Sequence, residues 1–141
     1  MDDRATMKPE MALALALKDQ ARFVPGRRAF FKYRELGVTE ATKGRMRAQV
    51  TSAEKGLSEP TGWHYHTCDM QFVYMLKGWV DLEFEDGTKV KLQPGDSVMI
   101  PGGLKHQEVA TSETMELLEV SLPAEMGTVP CAAPASASAA R

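Results

Sequence analysis

The chain has 141 residues, of which 43% are hydrophobic and 26% are charged, and its formal net charge is −2. This length suits one domain with a core of its own, and the nearly balanced charge argues against nucleic acid or an anionic membrane as a partner. The apolar run at residues 11–17 is much shorter than the about 20 residues that span a membrane. The two cysteines, Cys68 and Cys131, fit neither a disulfide framework nor a zinc knuckle. We therefore expect a cytoplasmic protein with free thiols and a small-molecule partner.

Residues 1–22 differ in composition from the segments that follow. Alanine and leucine alternate from Ala12 to Leu17, and charged residues come directly after them. Alternation is typical of a strand, whereas alanine and leucine favour a helix. We expect a short helix or an extended arm here.

Strand patterns begin after residue 22. Residues 29–33 are rich in aromatic side chains, and residues 45–51 alternate between two faces. The alternating segment has an apolar face (Met46, Ala48 and Val50) and a polar face (Arg45, Arg47 and Gln49). The polar face is interpreted as solvated, with the binding of a carboxylate or phosphate substrate as the alternative.

From residue 71 onward, short strand-like segments recur about every ten residues and are separated by turns rich in glycine and proline. Asp86-Gly87 is a strong hairpin signal, because both central residues of a type I′ turn need positive φ. Such a series predicts an all-β sandwich or barrel. The expected strands lie at residues 71–76, 79–85, 90–92, 97–100, 107–110 and 115–120.

The final segment, residues 123–141, ends in alanine, serine and proline of low complexity. It offers almost nothing to bury, so we expect it to be disordered or to order only on a partner. The predicted organisation is an arm at 1–22, a barrel at 23–122 and a tail at 123–141.

The chain has three histidines, and two of them, His64 and His66, are spaced i, i+2. On a strand this spacing places both imidazoles on one face, about 6.6 Å apart along the backbone. Alone, the pair indicates a metal site only weakly, because two surface histidines on a polar strand would look the same. The third histidine, His106, follows the turn Pro101-Gly102-Gly103 about forty residues later.

Two blocks of sequence give the histidines a context. The first runs Gly62-Trp63-His64-Tyr65-His66, then Gln71 and Gly78, and the second runs Gly95, Pro101, Gly103 and His106. These blocks resemble the two motifs of the cupin superfamily, and every histidine of the chain falls on a motif position. The resemblance implies a jelly-roll β-barrel (a double-stranded β-helix), a homodimer, and one divalent transition metal. Iron, manganese, nickel, zinc and copper all suit such ligands.

The resemblance also implies a ligand set of His64, His66, Gln71 and His106. Gln71 departs from the family pattern, since most metal cupins have glutamate there. Glutamine is a neutral ligand, so the ion would keep its full charge as a Lewis acid, and the site would lose a built-in proton acceptor. The alternative is that Gln71 only forms a hydrogen bond inside the barrel.

Several further residues have two interpretations. Cys68 shares the strand parity of the histidine pair and is a pocket residue or a small buried side chain. Val73 and Met75 share the parity of Gln71 and are expected to line the pocket. Glu108 and Glu119 are replacement proton acceptors or surface residues.

Three functions stay open at this point. The first is a metal-dependent enzyme acting on a small oxygenated metabolite, as a Lewis-acid isomerase or lyase or as a dioxygenase. The second is a non-enzymatic module that binds a small ligand or a metal, and the third is a structural role. The neutral ligand set favours Lewis-acid chemistry within the first.

Overall fold

The computed structural model of the protein describes residues 10–25 and 31–135. Regular structure in these ranges is almost entirely β, with a 3₁₀ turn at Lys18–Gln20 and a short helix α1 at Val38–Ala41. No helix within them is long and apolar enough to cross a membrane. The strands are β1 (Arg22–Pro25), β2 (Phe31–Glu35), β3 (Arg47–Ala53), β4 (His64–His66), β5 (Met70–Lys77), β6 (Val80–Phe84), β7 (Lys89–Leu92), β8 (Ser97–Pro101), β9 (His106–Thr111), β10 (Met115–Leu122) and β11 (Thr128–Pro130).

These strands form two antiparallel sheets. The first has the order β1-β2-β3-β10-β5-β8, and the second has the order β11-β4-β9-β6-β7. The chain crosses between the sheets repeatedly, so that β4, β5 and β6 belong alternately to one and the other. The predicted all-β jelly-roll barrel is therefore confirmed, and the predicted strands from residue 71 onward all exist, with small shifts at their ends.

The apolar core fills one part of the space between the sheets. Met75 on β5 is fully enclosed, and the residues around it come from both sheets. Strand alternation explains this arrangement, because every second side chain of a strand points to the same face. The buried members of the cluster are Ala53, Val73, Met75, Val80, Leu82, Phe84, Leu92, Ile100, Met115 and Leu117.

Two glycine turns hold the strands in place near one end of the barrel. The hairpin that Asp86-Gly87 predicts joins β6 and β7, but its turn is not of type I′. Gly87 has a φ of 91° whereas the φ of Asp86 is not positive, and the N–H of Gly87 donates to the carbonyl oxygen of Phe84 at 2.9 Å. A Cβ atom on Gly102 would overlap the carbonyl oxygen of Cys68, so the β8–β9 turn lies directly against the β4–β5 connection. The N–H of Gly103 donates to the carbonyl oxygen of His66 at 2.9 Å in the same contact.

The described part of the N-terminal segment is an extended arm with a single 3₁₀ turn, which agrees with the predicted arm or short helix. The side chains of Leu13, Leu15 and Leu17 are 84%, 75% and 56% exposed. Residues 1–9 lie outside the described ranges. The arm is attached where the N–H of Ala12 donates to the carbonyl oxygen of Ala41.

The prediction of disorder from residue 123 onward is wrong for residues 123–135. Strand β11 pairs with β4, and the side chains of Ala124 and Met126 are buried. Backbone pairing orders this segment: the N–H groups of Thr67 and Cys68 both donate to the carbonyl oxygen of Met126. Low-complexity composition measures what side chains can bury and does not detect such pairing. Residues 136–141 lie outside the described ranges.

Candidate metal centre

Two neighbouring strands, β4 and β9, bring the three histidines to one place inside the barrel. His64 and His66 project from the same face of β4, and His64 pairs in register with His106, the first residue of β9. All three are buried, with exposed fractions of 3–6%. Their ring centroids lie 4.6–5.2 Å apart, and one ligand nitrogen from each lies within 4.8 Å of the others. This is the grouping that a single ion requires.

Each imidazole has its Nδ1 atom against a backbone carbonyl oxygen. The distances are 2.8 Å from His64 to Gly62, 3.1 Å from His66 to Gly127 and 2.9 Å from His106 to Leu104. A carbonyl oxygen only accepts hydrogen bonds, so Nδ1 carries the proton in every case. In this tautomer Nε2 is the nitrogen that carries the lone pair and is able to ligate a metal, as in many metal-binding histidines.

The partner of His66 comes from a part of the chain that motif analysis missed. Besides the Gly127 carbonyl, the hydroxyl oxygen of Thr128 lies 3.1 Å from Nδ1 of His66. His64 and His106, by contrast, bond to carbonyls two residues earlier in their own turns. Strand β11 therefore fixes the orientation of one of the three imidazoles.

Gln71 lies on β5 with 7% of its surface exposed. Its Oε1 atom is buried and has no hydrogen-bond partner among the described residues. An unsatisfied buried amide oxygen costs free energy, and a cation is one group that would satisfy it. This observation favours the ligand interpretation of Gln71 over an internal hydrogen bond through Oε1.

A small cavity of about 30 Å³ adjoins these residues. A volume of this size accommodates roughly one or two water molecules. Larger grooves, such as one of about 340 Å³ beside β6 and β7, lie on the outside and include none of the histidines. The cavity is lined by Gln71, Val73, Val80, Leu82, Ile100, His106, Glu108, Leu117 and Glu119. Val73 therefore lines the pocket as predicted, whereas Met75 lies in the core.

The sequence of residues 49–121 matches the model of the cupin domain. The chain belongs to the cupin family. No curated protein sequence matches the chain, and the cupin assignment therefore rests on the domain match and on structural likeness.

Solved structures with the same fold agree with this assignment. KdgF from Halomonas sp. is 19% identical, with a TM-score of 0.65 over 79% of this chain and 94% of its own. The polyketide cyclase RemF from Streptomyces resistomycificus is also 19% identical, with a TM-score of 0.67 over 84% and 85%. The iron(II) form of HppE is 15% identical, with a TM-score of 0.61 over 78% of this chain and 60% of its own. At such identities the likeness establishes the fold.

Both candidate replacement acids of the cupin line its cavity. Glu108 projects from β9 in the second sheet, and Glu119 projects from β10 in the first. Neither carboxylate joins the group of histidine nitrogens that lie within 4.8 Å of one another. The two acids therefore flank the candidate metal centre without belonging to its cluster of close ligand atoms.

The interpretation of Arg47 and Gln49 as part of a solvated face is wrong. Gln49 is 3% exposed, and Nη2 of Arg47 lies 2.8 Å from Oε1 of Glu119. The Nε2 atom of Gln49 donates to the same Oε1 atom at 3.2 Å. Strand β3 presents this polar face to the barrel interior because β10 beside it supplies the matching acid. Arg45 precedes β3, is exposed, and donates to the carbonyl oxygen of Thr42 at 3.3 Å.

Cys68 is 4% exposed and is absent from the cavity lining. Burial raises the pKa of its thiol, an effect that the charge of Arg47 partly opposes. The thiol is therefore protonated at neutral pH, which supports the interpretation of Cys68 as a small buried side chain. Both Cys68 and Cys131 are free, as predicted.

Proposed function

We propose that this cupin is a metal-dependent enzyme acting on a small oxygenated metabolite. In this proposal His64, His66, Gln71 and His106 hold one divalent transition metal, which is iron, manganese, nickel, zinc or copper. The observation that carries it is the grouping of the three buried imidazoles: one ligand nitrogen from each lies within 4.8 Å of the others, and each Nδ1 atom contacts a carbonyl oxygen, so that Nε2 is the nitrogen able to ligate. The unpartnered Oε1 of Gln71 supports it further.

The ligand set favours Lewis-acid chemistry over oxygen chemistry. The bound ion would polarise a chelating oxygen of the substrate. The four proposed ligands carry no charge, so they do not weaken that effect as a carboxylate ligand would. Within this class an isomerase or a lyase is the preferred activity, and a dioxygenase is the alternative. RemF, which has this fold, is a polyketide cyclase, and this is consistent with an enzyme that acts on a small metabolite.

The residues around the candidate centre suit a compact substrate. Val73, Ile100 and Leu117 line the same cavity as Gln71 and His106, and these apolar side chains would keep bulk water away from the reacting group. The cavity of about 30 Å³ is smaller than most metabolites. The substrate would therefore be small, or it would place only its chelating atoms inside the cavity and leave the rest of the molecule outside.

The same small volume favours one alternative, a non-enzymatic module that binds a metal or a very small ligand. Two measurements separate the functions. Product formed from sugar-acid or enol-type substrates without oxygen would identify an isomerase or lyase, whereas oxygen uptake would identify a dioxygenase. Tight binding of a metal or ligand without turnover would identify the module.

The experiment that tests the metal site compares the wild type with His106→Ala by elemental analysis after purification and dialysis. We expect a single metal ion per chain in the wild type and its loss in the variant, because removal of one imidazole leaves the remaining ligands with much lower affinity. Gln71→Leu, which keeps the bulk but removes the oxygen, should retain the metal with lower affinity. Lys105→Ala, next to His106 in the chain, is the matched control and should keep full metal content. Equal metal content in the wild type and His106→Ala would contradict the proposal.

The proposal also includes a homodimer and a cytoplasmic location. Exposed apolar side chains concentrate in the N-terminal arm and β1, where Leu13, Leu15 and Phe23 are 84%, 75% and 59% exposed. Such a patch favours association with a second copy, and light scattering would measure it. The two free thiols are consistent with a reducing compartment.

A further inference from the structure

The replacement of the motif glutamate by Gln71 leaves the proposed enzyme without a proton acceptor among its ligands. A glutamine side chain does not accept a proton at neutral pH, whereas isomerase and lyase reactions need a group that does. Two carboxylates, those of Glu108 and Glu119, line the cavity beside Gln71 and His106. Two carboxylates therefore lie in the same cavity as the proposed ligands, and they are on β9 and β10 rather than on β5.

Glu119 is held in a defined position. Its Oε1 atom accepts hydrogen bonds from Nη2 of Arg47 at 2.8 Å and from Nε2 of Gln49 at 3.2 Å. The carboxylate is 15% exposed and the guanidinium side chain is 22% exposed, so solvent screens this pair only in part. Two donors on a largely buried carboxylate fix its orientation, which is what proton transfer to a bound substrate requires.

Strand register places Glu119 next to Gln71 on the inner face of the first sheet. Glu119 pairs with Val73 on β5, and Ser121 pairs with Gln71. Glu119 and Gln71 are thus diagonal neighbours, a relation that separates Cα atoms by about 7–8 Å and lies within reach of long side chains. Because the carboxylate does not join the close histidine cluster, it stands where it can contact a bound substrate rather than replace a ligand.

Glu108 lacks comparable support. Its backbone groups bond to Thr61, but its side chain forms no hydrogen bond or ion pair within the described ranges. No donor within those ranges therefore fixes the orientation of its carboxylate. Of the two acids, Glu119 is the one whose geometry is already set.

We propose that Glu119, positioned by Arg47 and Gln49, is the proton-accepting residue of this site; the proposal rests on the proposed function. The C–H bond next to a carbonyl group of the substrate breaks and its proton passes to the carboxylate of Glu119. The electron pair of that bond forms the carbon–carbon double bond of an enolate, and the carbonyl π pair moves onto oxygen. The protonated carboxyl group of Glu119 exchanges its proton with solvent, and transfer of the solvent-derived proton to carbon restores the carbonyl group. No electron donor or acceptor is needed, so the step is redox-neutral.

The test uses zinc-loaded protein in D₂O and hydroxyacetone as the probe, because zinc is redox-inert and hydroxyacetone is a neutral chelator. Proton NMR follows the replacement of its C–H protons by deuterium, and elemental analysis measures zinc in the same samples. We expect exchange by the wild type and a loss of about 100-fold or more in Glu119→Gln, with zinc content unchanged. Glu116→Gln, on the outward face of β10, is the matched control and should exchange at the rate of the wild type.

Several results would overturn the inference. Exchange at the wild-type rate in Glu119→Gln would exclude the role, and loss of zinc in that variant would make Glu119 a ligand. Exchange that depends on Glu108, tested with Glu108→Gln, would assign the role to the other acid. If zinc-loaded wild type exchanges the protons of hydroxyacetone no faster than free zinc does, the inference about Glu119 is wrong but the metal site stands. If the wild type binds no zinc, the proposed function itself is contradicted.

A second variant guards against a folding defect, because Glu119→Gln leaves Arg47 without its ion-pair partner. The double variant Glu119→Gln with Arg47→Met removes both charges together and should show the same loss of exchange. Circular dichroism melting confirms that it is folded. A folded double variant that exchanges at the wild-type rate would also overturn the proposal.

Discussion

The two ends of the barrel interior differ in chemistry although the same strands form both. On β5, Gln71 stands at the polar end and Met75 lies in the apolar core, four residues along. On β10, Glu119 lies at the polar end and Met115 lies in the apolar core, again four residues apart. The polar end contains every candidate functional group, whereas the apolar end contains residues that only pack. Substitutions at the apolar end should therefore lower the free energy of unfolding without removing the metal site.

The largest effect is expected at the apolar end. Met75→Ala removes a side chain that is fully enclosed, and substitutions of this kind cost about 2–5 kcal/mol through lost burial and the cavity left behind. Urea denaturation of the metal-free protein measures the loss. Metal content at saturation should stay that of the wild type, because Gln71 and Met75 lie on the same face of β5 but four residues apart, and are not direct neighbours.

Leu76→Ala is the control for that variant, since Leu76 is the next residue on β5 and is 40% exposed. It should lose less than about 1 kcal/mol because its side chain faces outward. A metal site that fails in Met75→Ala while the protein stays folded would show that the two ends of the interior are coupled.

A smaller effect on stability is expected from breaking the ion pair between Arg47 and Glu119 at the polar end. Arg47→Met retains most of the side-chain packing but removes the guanidinium that lies 2.8 Å from the carboxylate of Glu119, and should cost about 1–3 kcal/mol in urea denaturation. The cost stays below that of a fully buried pair because both side chains are partly exposed, at 22% and 15%. Arg45→Met, two residues away and exposed, should change stability by less than about 0.5 kcal/mol. Equal effects of the two variants would contradict the inward position of Arg47.

Sequence patterns predicted the histidine part of the polar end, but they left Glu119 with two interpretations and assigned Arg47 and Gln49 to a solvated face, for a physical reason. His64 and His66 are two residues apart on one strand, and His106 follows the turn Pro101-Gly102-Gly103, so local spacing identifies them. Arg47 and Glu119 are 72 residues apart, and only the pairing of β3 with β10 brings them together. Alternation on β3 identified the two faces correctly, but it could not indicate which face points inward when the inward one carries the charges.

The C-terminal segment illustrates a second limit of composition. Residues 123–130 contain few large apolar side chains, and the predicted disorder followed from that scarcity. What orders them is backbone pairing with β4, together with the contact of Thr128 and His66. Such interactions depend on the availability of an unpaired strand edge elsewhere in the chain, and no pattern within residues 123–141 reports it.

That contact leads to the prediction with the smallest expected effect. Thr128→Val removes the hydroxyl group 3.1 Å from Nδ1 of His66 but keeps the shape of the side chain. Loss of a group that orients a metal-binding imidazole lowers affinity by about 10–100-fold, and the lower end is expected here because the Gly127 carbonyl still accepts the Nδ1 proton. Competition with a chromogenic zinc chelator measures the change, and Thr128→Ser, which keeps the hydroxyl, should bind zinc as the wild type does. If valine and serine at this position bind zinc equally well, the orientation of His66 depends on the backbone carbonyl alone, and β11 contributes to the polar end only through its main chain.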